Sequence, residues 1–258
     1  MGYLSKGAFP SIEYSMFCGE QLPKHCADAW RIAAPNSTIE NLYGPTEATI
    51  YTSRYLYSNS KEKELFCNNI IPIGQAFPTM TIEIINENLD RGNSGEIGEI
   101  AYKGPQVTQG YLNDESKTKS VFVQFDWDKS GDIWYKSGDL GFLNKSGDFE
   151  CIGRKDNQIK LGGRRIEIGE IESVLSKFTL LQDVVVVAIK NDDQITTGCV
   201  AFTMNEISKE GKIRIRQESM QYLEQVFFPK KIVTIDEFPR SPSGKIDRKA
   251  LSLKAQNS

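Results

Sequence analysis

At 258 residues, with 39% hydrophobic and 25% charged residues, the chain is long enough to bury one large core or two unequal ones, and its balance excludes a disordered polyelectrolyte. Its 31 basic and 34 acidic side chains leave a formal charge of −3, which argues against a dedicated nucleic-acid binder. A single histidine, His25, argues equally against a histidine-based triad or a multi-histidine metal site.

The five cysteines, Cys18, Cys26, Cys67, Cys151 and Cys199, are scattered with no CxxC pair, and no signal peptide is evident; together these predict a reducing, cytoplasmic setting. No apolar run is long enough to cross a bilayer, and the longest, in "DVVVVAI", fits a buried strand. Lys6 stands where a myristoylation signal needs Ser or Thr, so neither a lipid anchor nor a membrane partner is expected.

In chain order, "SIEYSMF" predicts a strand and "PKHCADAWRIAA" a helix with Pro23 near its first turn. "STIENLY" predicts a second strand that breaks at the Gly-Pro turn of "YGPTE", the rhythm of an α/β layer with a mainly parallel sheet. From about 70 to 155 short strands and Gly-rich turns replace helical periodicity, which predicts an antiparallel sheet or small barrel. After "GRKD" comes a strand running into the helix of "GRRIEIGEIESVLSKF". The strands "DVVVVAIK" and "TGCVAFTM", a helix over 212–227 and the strand "KKIVTID" follow, predicting a compact α+β unit. The expected domains are therefore 1–155 and 156–258.

Four stretches hold the candidate chemistry. Gly44 and Pro45 reverse the chain after a strand and leave Thr46 and Glu47 at the sheet's C-terminal edge, where open α/β sheets bind ligands. A hydroxyl beside a carboxylate suits a phosphate oxygen and a hard cation such as Mg²⁺; an ordinary turn with an exposed glutamate is the alternative. "YKSGDLGFLNKSGDFECIGRKD" places Asp139 in a Ser-Gly-Asp turn and Arg154 after Gly153, a carboxylate suited to ribose hydroxyls and a guanidinium suited to phosphate, although such turns also punctuate hairpins. Gly162 and Gly163 permit close backbone approach or a simple hairpin turn. Lys245, in "SPSGKIDRKA", follows Gly244 on a basic stretch that is either a solvated tail or a presented cation; it lacks the glycine spacing of a Walker loop.

Taken in order, Asn41–Glu47, Gly98–Leu112, Tyr135–Leu140, Gly153–Glu172 and Gly244–Arg248 resemble the ordered motifs of the adenylate-forming (AMP-binding) superfamily. "DNQIKLGGRRIEIGEIE" and "GPQVTQGYLND" are similar to its amino-acid-activating branch, and "FCGEQLP" with "NLYGPTEAT" to D-alanine–carrier-protein ligases. An adenylation domain of nonribosomal peptide synthesis is the other reading. The resemblance implies the last part of a large N-terminal domain, made of an α/β layer and a small β-barrel-like subdomain, followed by a small mobile α+β domain. It implies ATP or AMP, Mg²⁺, an amino acid, and an acyl or peptidyl carrier protein bearing phosphopantetheine. By residue, it implies Mg²⁺ on Glu47, the α-phosphate on Thr46 and adenine against Tyr43 and Gly44. Ribose falls to Asp139, and ribose or phosphate to Arg154. It also implies a hinge at Asp156, a thiolation loop at Gly162–Gly163, catalysis by Lys245, and an amino-acid pocket lined by Met16, Cys18, Leu42, Ile50 and Tyr51.

Ser137 stands where the family usually has threonine, and only Pro229 of the family's Leu-Pro-rich stretch is kept in "VFFPKK". The family's phosphate loop and the aspartate that grips the substrate amine lie upstream of every motif seen here, so the chain looks like a C-terminal half. Two other readings stay open: a non-catalytic module that binds nucleotide or docks a carrier, and an acyl-CoA ligase.

Overall fold

The computed structural model describes residues 4–58, 66–156, 158–178, 181, 183–241 and 244–256. They form two compact units that divide after Asp156.

The first unit opens with β1 (Tyr14–Phe17), α1 (Lys24–Ala33), β2 (Thr38–Tyr43), β3 (Ser53–Tyr57) and β4 (Gln75–Ala76) in one sheet of order β1-β2-β3-β4. Only β1 and β2 run parallel; β2–β3 and β3–β4 are antiparallel, which corrects the expectation of a mainly parallel sheet. The reason is connectivity: among the described residues only the β1–β2 crossover carries an α-helix, and the chain reverses between β2 and β3 through a short turn with one 3₁₀ turn. Pro23 sits at the N-cap of α1, where a missing N–H costs nothing, and the helix buries Ala27 and Ala33. Leu22, Ala27, Ile39, Tyr55, Tyr57 and Ile71 form the core beneath it.

A second sheet takes β5 (Thr81–Ile85), β6 (Gly98–Lys103), β7 (Phe122–Val123), β8 (Trp134–Leu143) and β9 (Phe149–Arg154), all antiparallel, with α2 (Glu115–Val121) preceding β7. Asp114 caps α2 by accepting from the Lys117 amide at 2.9 Å; at seven residues the helix is too short to show a period in sequence. Alternation on β6 sends Ile100 and Tyr102 to one core and Ala101 to the other, which also holds Phe125 and Trp134. Gly74 and Phe149 bridge the two sheets.

On that second core's rim, Lys103 Nζ lies 2.8 Å from Asp128 Oδ2, which also accepts from Trp134 Nε1 at 2.6 Å. The Lys103 bond, with the Trp134 bond behind it, holds the Asp128 carboxyl well below the usual carboxylate range. A depressed folded-state pKa stabilises above the unfolded value and is lost as pH falls through the folded one, so the contribution is complete above about pH 5 and fades in stronger acid. Asp128→Asn is expected to lower the urea midpoint at pH 7 and to leave a smaller further loss on acidification than wild type shows.

The second unit begins with β10 (Gln158–Leu161) and β11 (Arg164–Glu167), a hairpin closed by Gly162 and Gly163 at φ +61° and +75°. Two consecutive positive φ values define the type I′ turn that matches strand twist, which is why two glycines stand there. α3 (Ile168–Leu175), β12 (Val185–Lys190), β13 (Thr196–Thr203), α4 (Lys209–Ser219), β14 (Lys231–Thr234) and α5 (Arg248–Gln256) follow. The sheet has order β12-β13-β14, antiparallel then parallel. Val186, Cys199, Ala201 and Ile232 pack with α3 residues Ile171 and Leu175, while Val185, Val187, Val200 and Phe202 pack with Leu251 and Ala255 of α5. Helices on both faces explain why "DVVVVAI" is continuously apolar.

The helix expected over 212–227 lies instead at Lys209–Ser219. Ser208 sets its start by accepting from the Gly211 amide, and Leu223 and Phe227 are buried from a turn and from the 3₁₀ turn Gln225–Phe227 rather than from one α-helical stripe. No helix among the described residues is long and apolar enough to cross a membrane.

Candidate functional site

The site of the first unit is built where β2 ends. Tyr43 closes the strand, Gly44 and Pro45 turn the chain, and Thr46–Ala48 form one 3₁₀ turn. Gly44 has no room for a side chain: a Cβ there would lie 2.5 Å from Tyr51 Cα and 2.8 Å from both Ile50 O and Thr52 N. Gly44→Ala is expected to cost about 1–3 kcal/mol by overpacking and to lower the thermal midpoint of the chain by several degrees.

Thr46 is exposed, whereas Glu47 is buried and its Oε1 accepts from the Tyr111 hydroxyl at 2.5 Å. Burial, and then the bond to Glu47, push the Tyr111 hydroxyl far above its ordinary range, so it stays a neutral donor. The amide of Thr108 donates to Glu47 O at 2.8 Å, tying the GPTE turn to the segment that carries Tyr111.

Beyond this turn the backbone is strained. Thr49 and Ile50 have φ of 55° and 73°, and a β-branched residue in the left-handed region costs about 1–3 kcal/mol. Gln106 holds the strained segment: its Nε2 donates to Thr49 O at 3.3 Å and Tyr51 O at 3.2 Å, and Thr49 Oγ1 donates to Gln106 O at 2.8 Å.

Asp139 lies inside β8, not in a turn, which corrects the sequence expectation; the hairpin turn is formed further on, by Asn144–Asp148. The Ser-Gly-Asp stretch coincides with a register irregularity against β6 and is followed at Leu140–Gly141 by one against β9, which re-aim the strand. Ser137 Oγ donates to Ile100 O at 2.7 Å and accepts from the Asp139 amide at 3.0 Å. Asp139 is buried and accepts from the Tyr43 hydroxyl and from Arg154 Nη1 at 2.8 Å. Arg154 also donates to Ser137 O at 2.9 Å and, through Nε at 2.8 Å and through Nη2, to the Asp156 carboxylate. Burial opposes the Arg154 charge, but the bond to Asp156 and the field of Asp139 outweigh it and raise its pKa. Gly138, at φ +75°, makes room for this bridge, since a Cβ would stand 2.6 Å from Arg154 Nη2.

Tyr43, Gly44, Asp139, Arg154 and Asp156 are thus brought together. Of the expected amino-acid pocket, Leu42 is buried and Tyr51 half-buried, while Met16, Cys18 and Ile50 are exposed. Met16 pairs with Glu40 and so shares a sheet face with Leu42. In the second unit Gly162–Gly163 forms its hairpin, and Lys245 is exposed on a loop; Pro242 and Ser243 of that motif lie outside the described residues. Tyr111, Gln106 and Ser137 escape sequence reasoning as contacts, although "GPQVTQGYL" and "YKSGDL" contain them.

Could the site hold the groups its motifs imply? A buried carboxylate next to a guanidinium and a tyrosine suits ribose hydroxyls, which can donate to Asp139. Among the described residues no cluster of three or more His, Cys, Asp or Glu side chains is placed to hold a metal. Mg²⁺ is typically bound by one or two carboxylates together with substrate phosphates, and the Glu47 carboxylate beside the exposed Thr46 could offer one.

Residues 3–112 match the family described as AMP-binding enzyme. The chain is 33% identical over 252 residues to a delta-poly-L-ornithine synthetase of Acinetobacter baumannii, covering 95% of this chain and 18% of that protein. It is 34% identical over 248 residues to the D-alanine–D-alanyl carrier protein ligase of Listeria welshimeri, covering 94% and 47% respectively. The structure of the Vibrio cholerae adenylation domain AlmE in complex with glycyl-adenosine-5'-phosphate superposes with a TM-score of 0.84 at 31% identity, covering 99% of this chain and 47% of that one. The chain therefore spans about half the length of the carrier-protein ligase it matches.

Proposed function

We propose that this chain, which belongs to the AMP-binding, adenylate-forming enzyme family, is part of a ligase that activates an amino acid as its adenylate and passes it to the phosphopantetheine thiol of a carrier protein. The observation that carries the reading is the convergence of Tyr43, Asp139 and Arg154 in hydrogen-bond contact beside the GPTE turn. In the first step a substrate carboxylate oxygen attacks the α-phosphorus of ATP and pyrophosphate leaves. In the second the carrier thiol attacks the acyl carbonyl and AMP leaves.

Both partners of the first step are anions, so catalysis is positioning and placement of positive charge. Asp139 holds the ribose and Arg154 a ribose or phosphate oxygen, while Tyr43 flanks the base. Thr46 binds the α-phosphate and Lys245 counters the charge that develops on it. Mg²⁺, when bound at Glu47, supplies a Lewis acid for the phosphate oxygens. Asp156 is the hinge and Gly162–Gly163 the loop used in thiol transfer.

A small amino acid, D-alanine first, is the favoured substrate, supported by Cys18 and Leu42 as pocket residues and by the similarity to a D-alanine ligase and to an adenylation domain seen with glycyl-adenylate. The test is amino-acid-dependent ATP–pyrophosphate exchange by the complete gene product against a panel that includes D-alanine. Absence of exchange with every amino acid sinks the proposal.

The basic stretch that carries Lys245 favours one second reading, a module that binds nucleotide or docks a carrier without catalysis. Titration of the 258-residue chain with Mg²⁺-ATP and with carrier separates the two. Turnover by this chain alone excludes the module.

A further inference from the structure

The segment that carries Lys245 joins the second unit through Ile246, which packs against the core of β12, β13 and α5, and through an ion pair at the start of α5. Glu172, on α3, accepts from both arms of Arg248, the first residue of α5: Nη1 to Oε1 at 2.8 Å and Nη2 to Oε2 at 3.0 Å. The same two side chains close the free edge of β12. The Val186 amide donates to Glu172 Oε1 at 2.7 Å, and Arg248 Nη1 donates to Val186 O at 2.7 Å. Because β12 is an edge strand that among the described residues pairs only with β13, these two groups of Val186 point away from the sheet, and the carboxylate–guanidinium pair takes the place of a neighbouring strand.

Three residues before Arg248 is Lys245, and the intervening chain is held short. The Asp247 amide donates to Pro239 O at 2.7 Å, and Asp247 Oδ1 caps α5 by accepting from the Ala250 amide at 3.0 Å. Arg240 Nη1 donates to Gly244 O at 2.8 Å and the Ser241 amide to Lys245 O at 2.8 Å. Gly244 has φ +81° and open space around its missing Cβ, so among the described residues the position of Lys245 depends on the segments that flank it.

We propose that Glu172 and Arg248 are positioning residues for Lys245: their bidentate pair, locked across the β12 edge, fixes the start of α5 and through it the lysine loop. The functional half of this inference rests on the reading of Lys245 as the cation of adenylate formation. The geometric half does not.

The experiment has an arm for each half. In limited trypsinolysis of the 258-residue chain, Glu172→Gln keeps the shape of the side chain but removes its charge and sets an N–H₂ against one arm of Arg248. Cleavage after Lys245 is expected to accelerate at least tenfold, while cleavage after Lys212 and Arg216 on α4 stays at the wild-type rate; Glu172→Asp is expected to fall between. Unchanged cleavage after Lys245, or equal acceleration at all sites, overturns the proposal.

In ATP–pyrophosphate exchange by the complete gene product, Glu172→Gln is expected to lower kcat about tenfold with the KM for ATP unchanged, and Glu172→Asp to recover part of it. If cleavage accelerates but exchange is unaffected by both Glu172→Gln and Lys245→Ala, the mooring stands and the catalytic reading of Lys245 falls.

Discussion

Replacing Lys245 with alanine is expected to lower amino-acid-dependent ATP–pyrophosphate exchange by about 10²–10³-fold and to leave the folding of the chain unchanged. Lys245 is exposed, and its side chain makes no hydrogen bond or ion pair to the described residues; only its backbone carbonyl is used, by Ser241. Truncating a solvated side chain of this kind changes stability by about 0.5 kcal/mol or less. The catalytic loss has a separate origin. A positioned charge that faces developing negative charge contributes about 2.7–4 kcal/mol to the transition state, judged by the removal of single oxyanion donors. Since an interaction made only in the transition state lowers kcat and kcat/KM together, the KM for ATP should move little. Parallel exchange assays and thermal unfolding of wild type and variant check the prediction. Exchange within threefold of wild type would remove Lys245 from the mechanism.

Parts of this architecture were legible in sequence for local reasons. "DVVVVAI" reads as a strand covered on both faces because nothing polar interrupts it, and the structure packs α3 on one face and α5 on the other. Gly162 and Gly163 read as a two-residue hairpin turn and form one. The features that were not legible depend on contacts distant in sequence. Tyr111 meets Glu47 across 64 residues and Gln106 braces Thr49 across 57, and no periodicity encodes such pairs. The Ser-Gly-Asp stretch misled because its glycine is required by the Arg154–Asp156 bridge beside it rather than by a chain reversal. The helix at Lys209–Ser219 was misplaced because Gly211, a poor helix former, serves the Ser208 cap.

The second large effect is expected at Asp139, and its size depends on the sharing of one arginine. Arg154 divides its guanidinium between Asp139, whose side chain is 6% exposed, and Asp156, whose side chain is 39% exposed. Asp139→Asn removes the charged acceptor from the proposed ribose site. Losing charge-assisted hydrogen bonds of about 1.5–3 kcal/mol weakens nucleotide binding by about 10–100-fold. The fold suffers less than it would for an isolated buried pair, because Asp156 still neutralises Arg154. Asp156→Asn, in turn, leaves the Asp139 pair intact and nucleotide affinity close to wild type. The double variant strips the half-buried guanidinium of both carboxylates, and stripping a buried charge of its partner costs about 3–5 kcal/mol. The two substitutions should therefore be non-additive, the double variant losing more stability than the sum of the singles by more than the ~0.5 kcal/mol expected of independent sites. Thermal unfolding of the four chains measures the coupling, and titration with a fluorescent ATP analogue measures the affinity. Additive stabilities would mean that Arg154 does not bridge the two carboxylates in solution. Equal loss of nucleotide affinity in both single variants would mean that Asp139 has no particular part in binding ribose.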